Sequence, residues 1–134
     1  MEYMYISSTD SLHYHPANST WDFTIELPRI LSGCLHVALS DIKYTSSVGG
    51  LIVCSDICKE SYIKDGHMPI LRRVSEPGEI DRLQFVPITR TQVQRFRIYL
   101  FDNKLEVPAD TIEQLQCTLI FKDATKTRAT FQAN

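Results

Sequence analysis

The stretch from Leu31 to Tyr44, L-S-G-C-L-H-V-A-L-S-D-I-K-Y, constrains the fold more than any other part of the chain. As a strand it places Cys34, His36, Ala38, Ser40 and Ile42 on one face and Leu35, Val37, Leu39, Asp41 and Lys43 on the other. Both faces are mostly apolar from Cys34 to Leu39, the pattern of a central strand covered on two sides. After Leu39 the pattern turns polar, as where a strand leaves a core. Ser32-Gly33 before it is a turn signal. A helix competes, because Leu31, Leu35, Leu39 and Ile42 also recur at helical spacing. Gly33, Val37, Ile42 and the β-rich surroundings favour the strand.

The rest of the chain is written in the same two-residue period. Met1 to Ser8 alternates weakly and predicts a first strand. His13 to Thr20 is a loop broken by Pro16, Asn18 and Ser19. Trp21, Phe23, Ile25 and Leu27 alternate with Asp22, Thr24 and Glu26, predicting a half-buried strand that ends at Pro28. Ser46 to Gly50 is a loop. Leu51 to Asp56 predicts a short buried strand, Lys59 to His67 a polar loop, and Met68 to Val74 another strand. Ser75-Glu76-Pro77-Gly78 predicts a turn, and Arg82 to Ile88 a strand whose Pro87 marks an edge or an end. Gln94 to Asp102 sets Phe96, Ile98 and Leu100 against Arg95, Arg97, Tyr99 and Phe101. Asp102-Asn103-Lys104 turns the chain, and Ile112 to Leu115 reads as one helical turn. Leu115, Cys117, Leu119 and Phe121 then alternate with Gln116, Thr118, Ile120 and Lys122. About eight short strands with no long helix and no repeat predict an all-β sandwich with Greek-key links, of jelly-roll or immunoglobulin type. Trp21 does not lie between two suitably spaced cysteines, which counts against the immunoglobulin form.

The chain has 134 residues, enough for one domain with a sizeable core. No apolar run approaches the ~20 residues of a membrane-spanning helix, and the N-terminus has no secretory pattern. A reducing compartment is therefore expected, with Cys34, Cys54, Cys58 and Cys117 as free thiols. Cys34 and Cys117 are expected in apolar strands, acting as small hydrophobes. Net charge is −2. Arg72-Arg73 and the loose set Arg90, Arg95, Arg97 are the only basic concentrations, too few for a face built to hold phosphates, so no nucleic-acid partner is expected.

Several constellations carry chemistry on paper. Cys54, Cys58 and His67 have partial zinc-ligand spacing, but a structural zinc takes four ligands; one buried and one exposed cysteine is the plainer expectation. His13 and His15 sit two apart in a loop with no further ligand nearby. Asp10, Asp22 and Asp41 could pair as carboxylates, yet Asp22 is the polar side of an amphipathic strand. No nucleophile elbow or glycine-rich phosphate loop occurs. The sequence thus assigns no catalytic, cofactor-binding or metal-binding residue, no cofactor, and no enzymatic role. What remains is surface. Tyr3, Tyr5, Phe101 and Ile120 fall on faces expected to be exposed yet are apolar, which fits either a subunit interface or a cover of loops.

The order of segments carries a resemblance. Y-I-S-S-T-D-S with N-S-T-W-D-F-T-I-E-L-P, then L-S-G-C-L-H-V-A-L-S-D-I-K-Y, resemble the opening of the penton-type single jelly-roll minor capsid proteins of polinton-like elements, adintoviruses and adomaviruses. V-C-S-D-I-C-K-E-S-Y-I-K-D-G-H-M-P-I-L-R-R-V, R-F-R-I-Y-L-F-D-N and L-Q-C-T-L-I-F-K resemble later parts of that family, in the same order, over roughly Tyr3 to Lys122. Many relatives carry an aromatic where this chain has Leu35 or His36. The resemblance implies a jelly roll of eight antiparallel strands over residues 1–122 and a C-terminal tail over 123–134, which is either disordered or a docking arm. In that layout the Leu31–Tyr44 stretch is the third strand, in a sheet of strands one, eight, three and six. The implied role is structural: a homopentamer at the fivefold vertices of an icosahedral capsid, closed by heterologous contacts. Its further implied partners are neighbouring major capsid proteins, and a vertex spike or host receptor at loops near His13–Asn18, Ser46–Gly50 and Lys59–His67. No membrane partner is implied; the place is the virion, with assembly in the host-cell nucleus. A jelly-roll receptor- or ligand-binding trimer of the tumour-necrosis-factor type is the alternative.

Overall fold

The computed structural model of the chain describes residues 2–7, 19–44, 50–63, 66–107 and 114–123. The two-residue periodicity becomes eleven β segments: β1 (Glu2–Ser7), β2 (Asp22–Ser32), β3 (Leu35–Tyr44), β4 (Leu51–Ser55), β5 (Ser61–Ile63), β6 (Gly66–Met68), β7 (Ile70–Val74), β8 (Gly78–Glu79), β9 (Val86–Pro87), β10 (Gln92–Asp102) and β11 (Leu115–Asp123). The described residues contain no helix. One sheet runs β1-β11-β3, with β8 and β9 both pairing with the far side of β3; the second runs β2-β10-β4-β7. All pairings are antiparallel. With β8 and β9 taken as one interrupted strand and the β5–β6 hairpin set aside, this is the eight-strand, two-sheet order of a jelly roll. The count is eleven rather than eight for two local reasons. The sixth strand is broken by Asp81 to Gln84, all exposed, and residues 59–67 hold a short hairpin where a loop is expected.

The sheets meet through their inward faces. Phe23, Leu27, Leu39, Ile98, Leu119 and Phe121 belong to one buried apolar cluster drawn from both sheets. The rings of Phe96 on β10 and Phe121 on β11 meet edge to face at 6.1 Å, tying one sheet to the other.

The Leu31–Tyr44 stretch is more articulated than a single strand. Leu31 and Ser32 finish β2, residues 33–34 turn, and β3 begins at Leu35. Gly33 makes the turn with a φ of +118°, open to glycine at little cost, and its N–H donates to the Thr91 carbonyl at 3.0 Å. Cys34 is therefore exposed in the turn, not a small hydrophobe in the core.

Within β3 a bulge corrects the expected faces. Thr118 lies opposite Asp41 and Leu119 opposite Leu39, leaving Ser40 as an extra residue. Its hydroxyl donates to the Thr118 carbonyl at 3.2 Å, and its carbonyl accepts from the Ile80 N–H at 3.0 Å. The extra residue switches the phase. Leu35, Val37 and Leu39 face the core before it, and Ile42 and Tyr44 face the core after it.

Pro28 does not end β2. Leu27 to Ile30 bow out opposite the single residue Gln94, between the Glu26–Arg95 and Leu31–Val93 pairs. The sheet order makes β2 an edge strand, where a residue without an N–H leaves no ladder bond broken. The Arg82–Ile88 stretch pairs with β3 only at Val86 and Pro87, followed by an isolated bridge from Ile88 to Cys58. Of the helical turn expected over Ile112 to Leu115, Leu115 instead opens β11 and residues 112–113 lie outside the described residues, as do the tail 124–134 and the loops at His13–Asn18 and 45–49.

Candidate functional site

The outer face of the β2-β10-β4-β7 sheet holds the shortest ion pair among the described residues. Antiparallel pairing sets Tyr99 opposite Asp22 and Arg97 opposite Thr24, so the outward Arg97 reaches Asp22 diagonally. Arg97 Nε and Nη2 donate to Asp22 Oδ1 and Oδ2, each at 2.7 Å. That bidentate bond raises the Arg97 pKa further above its already high ordinary value. The guanidinium also lies 4.3 Å from the centroid of the Tyr99 ring, which in turn meets Phe101 edge to face at 5.8 Å. Burial, ahead of the surrounding charges, raises the Tyr99 pKa. Arg95 donates to Glu26 at 3.2 Å and Arg90 to Asp56 at 3.0 Å, while the other Asp56 oxygen accepts from the Arg97 N–H at 2.9 Å. The three arginines singled out in the sequence each face a carboxylate. They form a row of surface ion pairs rather than a basic face.

The other candidates come apart. Asp22 lies on β2 and Asp41 on β3, in different sheets. Asp10, His13 and His15 lie outside the described residues. Cys54 is buried as expected, but Cys58 is buried too, because its bridge to Ile88 draws it under the β9 connection. Burial raises the thiols of Cys54, Cys58 and Cys117 to about 12 each, so at neutral pH they are protonated and poor as nucleophiles or ligands. His67 sits on the exposed β6, with its ring edge against Tyr62 at 5.4 Å. Among the described residues no three His, Cys, Asp or Glu side chains are grouped to hold a metal.

The apolar surface set also divides. Tyr5 is 63% exposed and Phe101 is half-buried, but Ile120 is only 3% exposed. Ile120 and its β3 neighbour Ala38 lie opposite one another and are not part of the cluster between the sheets, so the outer face of the β1-β11-β3 sheet is covered there. Tyr3 pairs with Ile120 through the backbone; its side chain lies outside the described residues.

A groove of about 390 Å³ was not foreseen. It opens along β7, walled by the β5–β6 hairpin on one side and by Gln84 and Val86 on the other. Arg72 Nη1 donates to the Arg82 carbonyl at 3.0 Å, tying β7 to the β8–β9 connection. The sequence signal that could have found it is Asp65-Gly66 between S-Y-I and H-M, a turn dipeptide flanked by residues that favour strands. No protein-family model matches this sequence, and no curated protein matches it.

Proposed function

We propose that the chain is a structural subunit of an icosahedral capsid, of penton type, assembling as a homopentamer at the fivefold vertices. The observation that carries the reading is the strand order. The sheets β1-β11-β3-β8/β9 and β2-β10-β4-β7 follow the layout that the resemblance implies, with the third strand between the eighth and the sixth. Closure needs two different flanks in contact around the ring, on the order of 800 Å² per partner. Neighbouring major capsid proteins would meet the rim of the pentamer, with a spike or receptor at the exposed loops.

Light scattering on the purified protein tests this. Five chains of 15.4 kDa give about 77 kDa. A stable trimer would overturn the penton reading in favour of a jelly-roll ligand of tumour-necrosis-factor type, which shares the fold. Should the protein stay monomeric alone, the test moves to assembled particles, where density for the chain away from the fivefold positions counts against it.

A further inference from the structure

β7 is the last strand of its sheet. It pairs with β4 on one side, and among the described residues no backbone hydrogen bond reaches its other side. The groove of about 390 Å³ runs along that open edge, lined by Tyr62 and Ile63 of β5, Ile70, Arg72 and Arg73 of β7, and Val86 of β9. Tyr62 is 71% exposed, the most exposed large apolar side chain among the described residues.

The charge along this edge is unbalanced. Arg90, Arg95 and Arg97 each face a carboxylate, whereas among the described residues neither Arg72 nor Arg73 forms an ion pair and no carboxylate lines the groove. Arg72 lies opposite Val53, a member of the inner cluster, and Arg73 opposite Ile52, which is not. The two guanidinium groups therefore leave β7 on opposite sides of its sheet. Arg72 is held in place by its 3.0 Å bond to the Arg82 carbonyl, and Arg73 is exposed. Neighbouring residues of an extended chain also point to opposite sides, so a pair of adjacent carboxylates on an added strand matches this pair of arginines.

We propose that the open edge of β7 binds an extended acidic segment of another protein by strand addition, with two adjacent carboxylates on Arg72 and Arg73 and flanking apolar residues in the groove against Tyr62 and Val86. The unpaired N–H and C=O groups of the edge bind the segment's backbone, and the groove selects its side chains. Each guanidinium can take a carboxylate through two parallel hydrogen bonds. β7 has five residues, about 17 Å, which suits a segment of about five to seven. Two cations are too few for a phosphate chain, and a nucleic acid has no strand backbone to pair with the edge. A second copy of this chain fits less well, because on its own acidic edge strand, β2, Asp22 and Glu26 are taken by Arg97 and Arg95. The inference does not draw on the capsid reading.

A fluorescent peptide of about eight residues, with capped ends, a central Asp-Glu pair and Val and Phe around it, tests this on the full chain by anisotropy. Saturable binding is expected below about 1 mM, with methyl shifts on Ile63, Ile70 and Val86; no binding, or shifts elsewhere, overturns the proposal. Lys in place of the two acids should weaken binding about tenfold, and so should raising salt from about 0.05 to 0.5 M for the acidic peptide; insensitivity to either overturns it. N-methylation of alternate backbone amides should abolish binding, and retained affinity would refute strand addition. Arg73→Glu, at an exposed position, should reverse the preference, losing the acidic peptide and gaining the Lys peptide; an unchanged preference refutes the role of Arg73. A thymidine oligonucleotide that displaces the peptide at lower concentration would make the occupant a phosphate chain. Self-association of the parent that is competed by the peptide and lost in Arg73→Glu would make it a second copy. Either result overturns the proposal.

Discussion

Deleting Ser40 should leave the fold standing, because Ser40 is the one β3 residue of the bulge with no opposite number on β11. Removing it brings the Leu39–Leu119 and Asp41–Thr118 pairs next to each other and makes the β3–β11 ladder continuous. In the regular strand that results, Leu35, Val37, Leu39, Ile42 and Tyr44 fall on every second residue and all keep the core face. What is lost is the hydroxyl bond to the Thr118 carbonyl and the Ser40 carbonyl that accepts from the Ile80 N–H. At about 0.5–1.5 kcal/mol per bond the deletion costs about 1–3 kcal/mol, out of a domain stability of about 5–15 kcal/mol. Ser40→Ala keeps the bulge and loses only the hydroxyl bond to Thr118, about 0.5–1.5 kcal/mol. Urea unfolding followed by fluorescence of Trp21, the one tryptophan, reads both. With a slope of about 2 kcal/mol per molar urea, Ser40→Ala should lower the midpoint by less than about 1 M and the deletion by about 0.5–1.5 M, both transitions staying cooperative. A deletion variant with no cooperative transition would refute the role given to the bulge, since it would show that Ser40 is needed to keep Ile42 and Tyr44 inward.

Four further outcomes are expected. At pH 8 an aromatic disulfide reagent should titrate the exposed Cys34 alone in the folded protein and all four thiols in denaturant; rapid reaction of more than one would contradict the burial of the others. Because folding raises Cys54, Cys58 and Cys117 from 9.0 to about 12, their contribution is complete below pH 9 and is lost as pH climbs toward 12. Stability should fall across that window by up to about 1.4 kcal/mol per pH unit per thiol, as seen by urea midpoints at stepped pH. Gly33→Ala should destabilise by about 1–2 kcal/mol, since φ is +118° and a Cβ would lie 3.0 Å from Asp123 Oδ2; an unchanged melting temperature would count against that turn. Arg97→Ala should cost about 1 kcal/mol or less at low salt, because the pair with Asp22 is half exposed, and the difference should shrink in 1 M salt.

The inward faces of β10 from Phe96 onward and of β11 were legible because apolar residues there recur at every second position. Phe96, Ile98 and Leu100 face inward, as do Leu115, Cys117, Leu119 and Phe121. Legibility failed where the backbone leaves the two-residue period. A bulge adds a residue without any marker in the side chains, so Leu39 and Ile42 were placed on opposite faces. Proline is a stop signal in most strands but not on the bowed edge strand β2, and no local pattern states that β2 is an edge. Cys58 and Ile120 are buried by segments distant in sequence, so nothing in their neighbours announces it. The β5–β6 hairpin is three residues per strand, too short for alternation to emerge. The ion pairs on the outer sheet face were visible only as an alternation of charge, since which carboxylate meets which arginine depends on the register between β2 and β10.

The pairing of β3 with β11 also has a consequence for the order in which the chain is made. β3 is complete at residue 44, but its longest-paired neighbour begins at residue 115. At a synthesis rate of 5–20 residues per second, the intervening ~70 residues take roughly 4–14 s. Throughout that interval β3 has only weak partners available, since β8 and β9 hold it by two residues each. The jelly roll therefore cannot close in the order it is written. Its central strand must be kept from other strands until β11 emerges, and anything that slows the ribosome between residues 44 and 115 lengthens its exposure.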